Sequence, residues 1–130
     1  MADYHAKFRS NYFWVKDSAA LLAWVNEIPD LECHRRTPSV EENCFAIFCD
    51  GGQPDWDESE REIDFLADLS KHLVEKEVAV VMEVGWEGFR YLVGAAQAVH
   101  SSGRIITVSL TDIYERAETA FGVDVTRAEY

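Results

Sequence analysis

The residues of this sequence best suited to chemistry are carboxylates, and they are concentrated in its middle. Between positions 50 and 87 lie twelve acids against three bases, so this stretch supplies nine of the twelve net negative charges. The segments on either side are close to charge balance. Clustered carboxylates attract basic partners and repel nucleic acid. The pattern therefore favours recognition of a cationic surface and argues against direct binding of DNA or RNA.

A helix would give these acids a common direction. Residues 58–76 repeat their apolar positions with a helical period, which predicts one long helix with a buried face. At 100° per residue, Asp57, Glu60, Asp64 and Asp68 fall in a narrow stripe opposite that face. The simpler interpretation is an ordinary solvated helix surface. Like charges four residues apart destabilise a helix, however. Because this stretch has few bases to compensate its acids, the pattern favours a functional surface.

Trp56 lies between acids in the segment 50–58, which breaks regular structure. An exposed tryptophan there would anchor a partner surface. Alternatively, Trp56 folds back on the core edge and staples the helix that follows. Trp86 presents the same choice between an exposed contact and packing. The predicted partner-binding residues are Asp50, Asp55, Trp56, Asp57, Glu58, Glu60, Asp64 and Asp68.

Catalytic patterns are lacking. The four histidines show no H-x-x-x-H or HExxH spacing, and the sequence has no glycine-rich phosphate loop and no GxSxG motif. A Cys49 nucleophile assisted by a histidine stays open, because such partners meet in space and not in sequence. The acids do not follow the EF-hand spacing. We expect a protein with no catalytic residues, no metal and no cofactor.

The elements that must position these residues alternate in type along the chain. Strand patterns cover residues 9–15, 31–36, 43–49, 77–84, 90–100 and 104–110. A helix capped by Asp17 or Ser18 follows the first strand and ends before Pro29. The predicted order is β-α-β-β-α-β-β-β-α. This order indicates a single α+β domain over residues 1–130, with a largely antiparallel sheet and helices packed on one face.

The last three strands are predicted to form a meander. Gly85 to Gly88 is interpreted as a tight turn that places Glu83 opposite Arg90. A short loop at 101–103 joins the next two strands. The final helix begins near Ser109 and Asp112 and ends at Gly122, and its predicted buried stripe is made of Ile113, Ala117, Ala120 and Phe121.

Composition supports a folded domain. The sequence is 48% apolar and includes four Trp, seven Phe and five Tyr, far more than a disordered acidic segment contains. No run approaches the length of a membrane span, and the start lacks the apolar core of a signal peptide. Cys33, Cys44 and Cys49 have no CxxC spacing and are expected to be reduced. We therefore expect a soluble, cytoplasmic protein.

Four segments, 9–17, 78–85, 90–94 and 108–114, resemble small acidic bacterial proteins associated with plasmids, phages and other mobile elements. Such proteins include anti-CRISPR and anti-restriction inhibitors. The resemblance implies a stoichiometric inhibitor of a host nuclease complex. It implies no catalytic residues.

Three hypotheses follow. The leading one is a non-catalytic inhibitor that presents carboxylates where phosphates would lie in a basic nucleic-acid channel of a CRISPR effector or other nuclease. The second is an immunity or antitoxin-type protein that neutralises a basic toxin nuclease. The third is a small ligand-binding or enzymatic α+β domain, which would require a pocket containing His100, Cys49 or Glu83.

Overall fold

The structure is a computed structural model that describes residues 4–38 and 42–128. It contains seven strands and three helices: β1 (His5–Ser10), β2 (Phe13–Trp14), α1 (Ser18–Asn26), β3 (Leu31–Arg35), β4 (Cys44–Asp50), α2 (Phe65–Ser70), β5 (Val78–Glu87), β6 (Tyr91–His100), β7 (Ile105–Ser109) and α3 (Asp112–Phe121). None of the described helices has the length and apolarity that crossing a bilayer requires. The α+β class and the antiparallel sheet are confirmed.

The predicted first strand is split where the chain changes partners. β1 lies between β4 and β5 and pairs antiparallel with both. After Asn11 and Tyr12 the chain resumes as β2, which pairs with β4 alone. Because β3 pairs along the opposite edge of β4, the sheet reads β3, β4, then β1 with β2, then β5, β6 and β7.

One face of the sheet carries the core, and we call it the core face. Phe8, Phe45 and Val81 point into it from β1, β4 and β5, and they are nearly fully buried. α1 adds Leu21 and Val25, and α2 adds three apolar residues to the same cluster. Asp17 caps α1 by accepting hydrogen bonds from Ala19 and Ala20, as predicted. The opposite face of the sheet is called the outer face.

The prediction of one helix over residues 58–76 is wrong. Only Phe65–Ser70 is helical, and Asp64 is its N-cap. Residues 56 and 62 form an isolated antiparallel bridge instead, and Glu60 has a φ of 62°. A left-handed backbone at Glu60 is incompatible with a continuous helix. The predicted stripe of carboxylates along one helix face therefore does not form.

The predicted turn at Gly85 to Gly88 is also wrong. β5 continues through Gly85 and Trp86 to Glu87, which pairs with Tyr91, and Glu83 lies opposite Ala95. The turn is centred on residues 88–90, where Gly88 has a φ of 54°. Gly85 lies within the strand, where the hydroxyl of Tyr4 occupies the space that a Cβ would fill. The second predicted hairpin is confirmed, with the His100 amide bonded to the Arg104 carbonyl at 2.9 Å.

α3 begins and ends as predicted but does not pack as predicted. Gly122 ends it in the left-handed conformation, with a φ of 69°. The expected burial of Ile113, Ala117, Ala120 and Phe121 is wrong, because α3 has no buried residue. Only α1 and α2 contribute helical residues to the core.

Candidate functional site: the acidic loop

Residues 55–63 form a closed loop between β4 and α2, which we call the acidic loop. Its two ends are joined by a hydrogen bond from the Ile63 amide to the Asp55 carbonyl, at 2.8 Å. A second bond, from the Asp57 amide to the Arg61 carbonyl at 2.9 Å, narrows it further. The Glu58 amide donates to the carbonyl of Glu27 beside the end of α1 at 2.8 Å, which fixes the loop against the core.

Asp57 organises the loop from inside. One of its carboxylate oxygens accepts from the backbone amides of Ser59 and Arg61, each at 2.9 Å, and the other accepts from Arg61 Nε at 3.0 Å. The backbone hydrogen bond from Arg61, with that from Ser59 and the charge of Arg61, holds the pKa of Asp57 below its usual value. Asp57 is therefore a structural anion of the loop.

The remaining acids of the loop face solvent. Trp56 is 56% exposed, so the interpretation that it staples the core is wrong. The exposed carboxylates that surround it in the loop are Asp55, Glu58, Glu60 and Glu62. A rigid backbone that carries an exposed aromatic side chain among charges loses little entropy when a partner binds.

The other predicted partner-binding residues lie outside the loop or are engaged. Asp50 ends β4 on the outer face and is ion-paired with Lys7. Asp64 accepts the Ala67 amide at 3.3 Å as the cap of α2. Asp68 lies 3.8 Å from Lys71. The structure therefore brings together Asp55, Trp56, Asp57, Glu58 and Glu60, with Asp64 directly after them, and leaves Asp50 apart.

Two members of this loop are not among the predicted partner-binding residues. Glu62 is exposed opposite Trp56, and Arg61 closes the ring of bonds on Asp57. The signal was present in the sequence, since an Asp two residues before a Ser favours a turn in which the carboxylate bonds nearby backbone amides. The helical period of the apolar positions outweighed it.

The groups named for a possible enzyme are not gathered at one site. Glu83 faces a polar hollow of about 380 Å³ beside Asp55 and Gln97 and accepts the Gln53 amide at 2.6 Å. His100 faces a separate hollow and bonds Ser102 through Nδ1. Burial, reinforced by nearby Asp30, Asp50 and Glu83, raises the pKa of the Cys49 thiol. A raised pKa opposes formation of the reactive thiolate.

In the described part of the chain, no cluster of three or more His, Cys, Asp or Glu side chains has the geometry to hold a metal ion. No family model, no curated protein and no solved structure matches this chain.

Proposed function

We propose that this protein is a non-catalytic inhibitor that binds a basic nucleic-acid-binding surface through its acidic loop. The supporting observation is the pre-organised backbone of residues 55–63, which holds exposed Trp56 among exposed carboxylates. The partner class is a Lys/Arg-lined channel of a defence nuclease complex in the bacterial cytoplasm. Such channels gain much of their affinity by neutralising phosphates, so a folded polyanion competes for the same groups.

Trp56 and the carboxylates have different roles in this proposal. The carboxylates at 55, 58, 60 and 62 steer the encounter and supply salt-dependent affinity. Trp56 supplies the apolar anchor, since large aromatic side chains with charged neighbours are typical interface hot spots. Asp57 does not contact the partner. It maintains the loop in which the others are presented.

The test is affinity capture from bacterial lysates that contain defence nuclease complexes, with three forms of the protein compared in parallel. The first is the wild type. The second carries Glu58→Gln, Glu60→Gln and Glu62→Gln in the acidic loop. The third is a charge-matched control with Glu75→Gln, Glu115→Gln and Asp124→Asn, which are exposed acids elsewhere. We expect a nuclease complex to be captured by the wild type and the control and lost from the loop variant.

The captured complex then provides a quantitative assay. Its affinity for the protein should fall steeply between about 50 and 200 mM salt, and nucleic-acid substrate should displace the protein. Trp56→Ala should weaken binding by about 30-fold, the cost of losing a typical hot spot. Equal losses in both charge variants, or an affinity that does not depend on salt, would contradict the proposal. Capture of a secreted toxin nuclease instead would indicate the immunity-type function.

A further inference from the structure

The outer face of the sheet carries an apolar groove that runs along β6. Its floor is made of the small residues Gly94, Ala96 and Ala98, whose cross-strand neighbours are bulky. The walls are formed by Val80, Met82 and Val84 from β5 and by Ile106, Val108 and Leu110 from the other side. A concave volume of about 110 Å³ lies between Val80 on one side and Ile106 and Val108 on the other. We call this feature the outer groove.

The outer groove is uncovered. Met82, Ile106 and Val108 are 57%, 63% and 60% exposed, which is unusual for bulky apolar side chains that share one face of a sheet. The residues that form the floor and walls include no charged side chain. Contiguous apolar surface of more than a few hundred Å² on a folded domain marks a contact site.

The groove has the length of a short helix. The axes of β5 and β7 lie about 10 Å apart across β6, so the gap between their side chains takes one row of side chains from a helix that lies above β6. The floor from Gly94 to Ala98 extends about 14 Å along the strand. A helix of ten residues, which is the length of α3, extends about 15 Å.

The chain itself carries a helix that lacks a partner. The apolar residues of α3 are Ile113, Ala117, Ala120 and Phe121, which fall within one stripe at 100° per residue. Ile113 is 61% exposed and Phe121 is 77% exposed. α3 therefore exposes an apolar stripe, and the outer groove is an apolar surface that no described part of the chain covers.

The connection to β7 keeps α3 away from its own groove. The Ser109 amide and hydroxyl both bond Asp112, at 2.8 and 3.2 Å, across a link of only two residues. Leu110 donates its amide to the Gly94 carbonyl and packs where a Cβ on Gly94 would lie, so it closes that end of the groove. The segment after α3 folds back on it, with the Ala128 amide bonded to the Tyr114 hydroxyl at 2.7 Å.

We propose that this protein forms a two-fold symmetric dimer in which α3 of each copy packs in the outer groove of the other. An isologous arrangement buries the groove and the helix stripe twice, because each copy supplies both surfaces. The buried apolar area is therefore twice that of a single helix on a single groove. Each copy has a net charge of −12, so the two copies repel at long range. Added salt screens that repulsion.

The proposal is tested by sedimentation equilibrium of the full chain at several salt concentrations. We expect a dimer whose dissociation constant decreases as salt rises from about 50 to 300 mM, because apolar burial holds it and charge opposes it. This dependence has the opposite sign from that expected for the basic partner. A species that stays at 14.8 kDa up to about 100 μM would overturn the proposal.

Two variants test the helix stripe and the outer groove separately. Ile113→Asp with Phe121→Asp removes the helix stripe, and Ala98→Glu places a charge on the groove floor. Each should weaken dimerisation roughly 100-fold or more, because a carboxylate would be buried without a partner. Both changes lie at positions that are not buried in the single chain, so the melting temperature of the monomer should be nearly unchanged. Trp56→Ala is the control and should dimerise like the wild type.

Mixing the two variants distinguishes helix exchange from other dimers. An equimolar mixture has one intact pair, the helix of the Ala98→Glu chain with the groove of the double variant, so heterodimers should form more tightly than either variant alone and more weakly than the wild-type dimer. Dimers that pair β7 edges or stack two sheet faces would survive the loss of the helix stripe. Survival of the double variant as a dimer, or a mixture that associates no more tightly than the separate variants, would overturn helix exchange.

Discussion

Two short polar side chains replace backbone partners where the chain leaves regular structure. Asp57 accepts two amides in the acidic loop, as described above. Ser10, which is 2% exposed, accepts the Ile47 amide at 2.9 Å and donates to the Asn11 carbonyl at 2.7 Å. The Ser10 hydroxyl therefore supplies the acceptor for this β4 amide at the point where β1 ends. Neither role was predicted. The partner of Ser10 lies 37 residues away and is positioned only by the fold, whereas the bonds of Asp57 are local and were outweighed by the helical period of the apolar positions.

Ser10→Ala should lower the free energy of unfolding by about 1–3 kcal/mol, since it leaves the buried Ile47 amide without an acceptor. Denaturant titration measures the change. Ser70→Ala is the matched control, because Ser70 is similarly buried but donates only to the Ala67 carbonyl of its own helix. We expect Ser70→Ala to lower the free energy of unfolding clearly less than Ser10→Ala does. Equal costs for the two variants would mean that the Ser10 hydroxyl has no special role.

His72 should make stability depend on pH. It packs on Trp24 with ring centroids 5.0 Å apart, and burial, aided by Lys16 and opposed by Asp68 and Asp17, lowers its pKa below the usual 6.5. The unfolded chain therefore takes up this proton first as pH falls. The free energy of unfolding should decrease as pH drops below about 6.5 and level off below the folded-state pKa.

His72→Gln isolates this contribution. The variant should show a flatter pH profile than the wild type between about pH 7.5 and 5, measured by denaturant midpoints. Comparison at the upper end of the range, where His72 is neutral in both states, corrects for any loss of packing. Profiles that run parallel throughout would show that His72 does not contribute to the pH dependence.

Helices and strands with a strong local sequence pattern were predictable. Segments whose backbone could form two competing sets of hydrogen bonds were not. α1 follows from its cap at Asp17 and its spaced apolar residues, and β5 follows from its apolar run. The segment before α2 satisfied a helical period, yet the carboxylate of Asp57 offers its backbone a competing set of bonds. For the acidic loop, the cluster of acids could be located from the sequence, but the predicted helical backbone was wrong. α3 was predicted as a helix, but its exposure depends on the rest of the fold.

α2 should depend wholly on its packing, because a helix of six residues is too short to be stable alone. Phe65 stacks on Trp24 at 5.2 Å and meets Phe8 edge to face at 5.6 Å. Phe65→Ala should lower the free energy of unfolding by about 3–5 kcal/mol. Chemical denaturation followed by circular dichroism gives the value. Leu22→Ala, at a partly exposed site on α1, should change it by no more than about 0.5 kcal/mol.

The two faces of the sheet differ in character. Its core face joins β1, β4 and β5 to α1 and α2 in a single apolar cluster, and the outer face carries the outer groove. Because one cluster joins the two halves of the chain, unfolding should be a single cooperative transition. Tryptophan fluorescence and far-UV circular dichroism should give coincident denaturation curves. Two separate transitions would show that the β5 to β7 meander is an independent unit.

The central position of β1 has a consequence for biosynthesis. His5 pairs with Trp86 and Ser10 pairs with Val81, so about 70 to 80 residues must leave the ribosome after β1 before this strand can acquire its second neighbour. At roughly 10 residues per second, that delay lasts about 7 to 8 seconds. During this time one edge of β1 remains unpaired. A nascent chain of this sequence should therefore engage holdase chaperones until β5 emerges, and slowing translation between positions 50 and 85 should reduce the yield of folded protein.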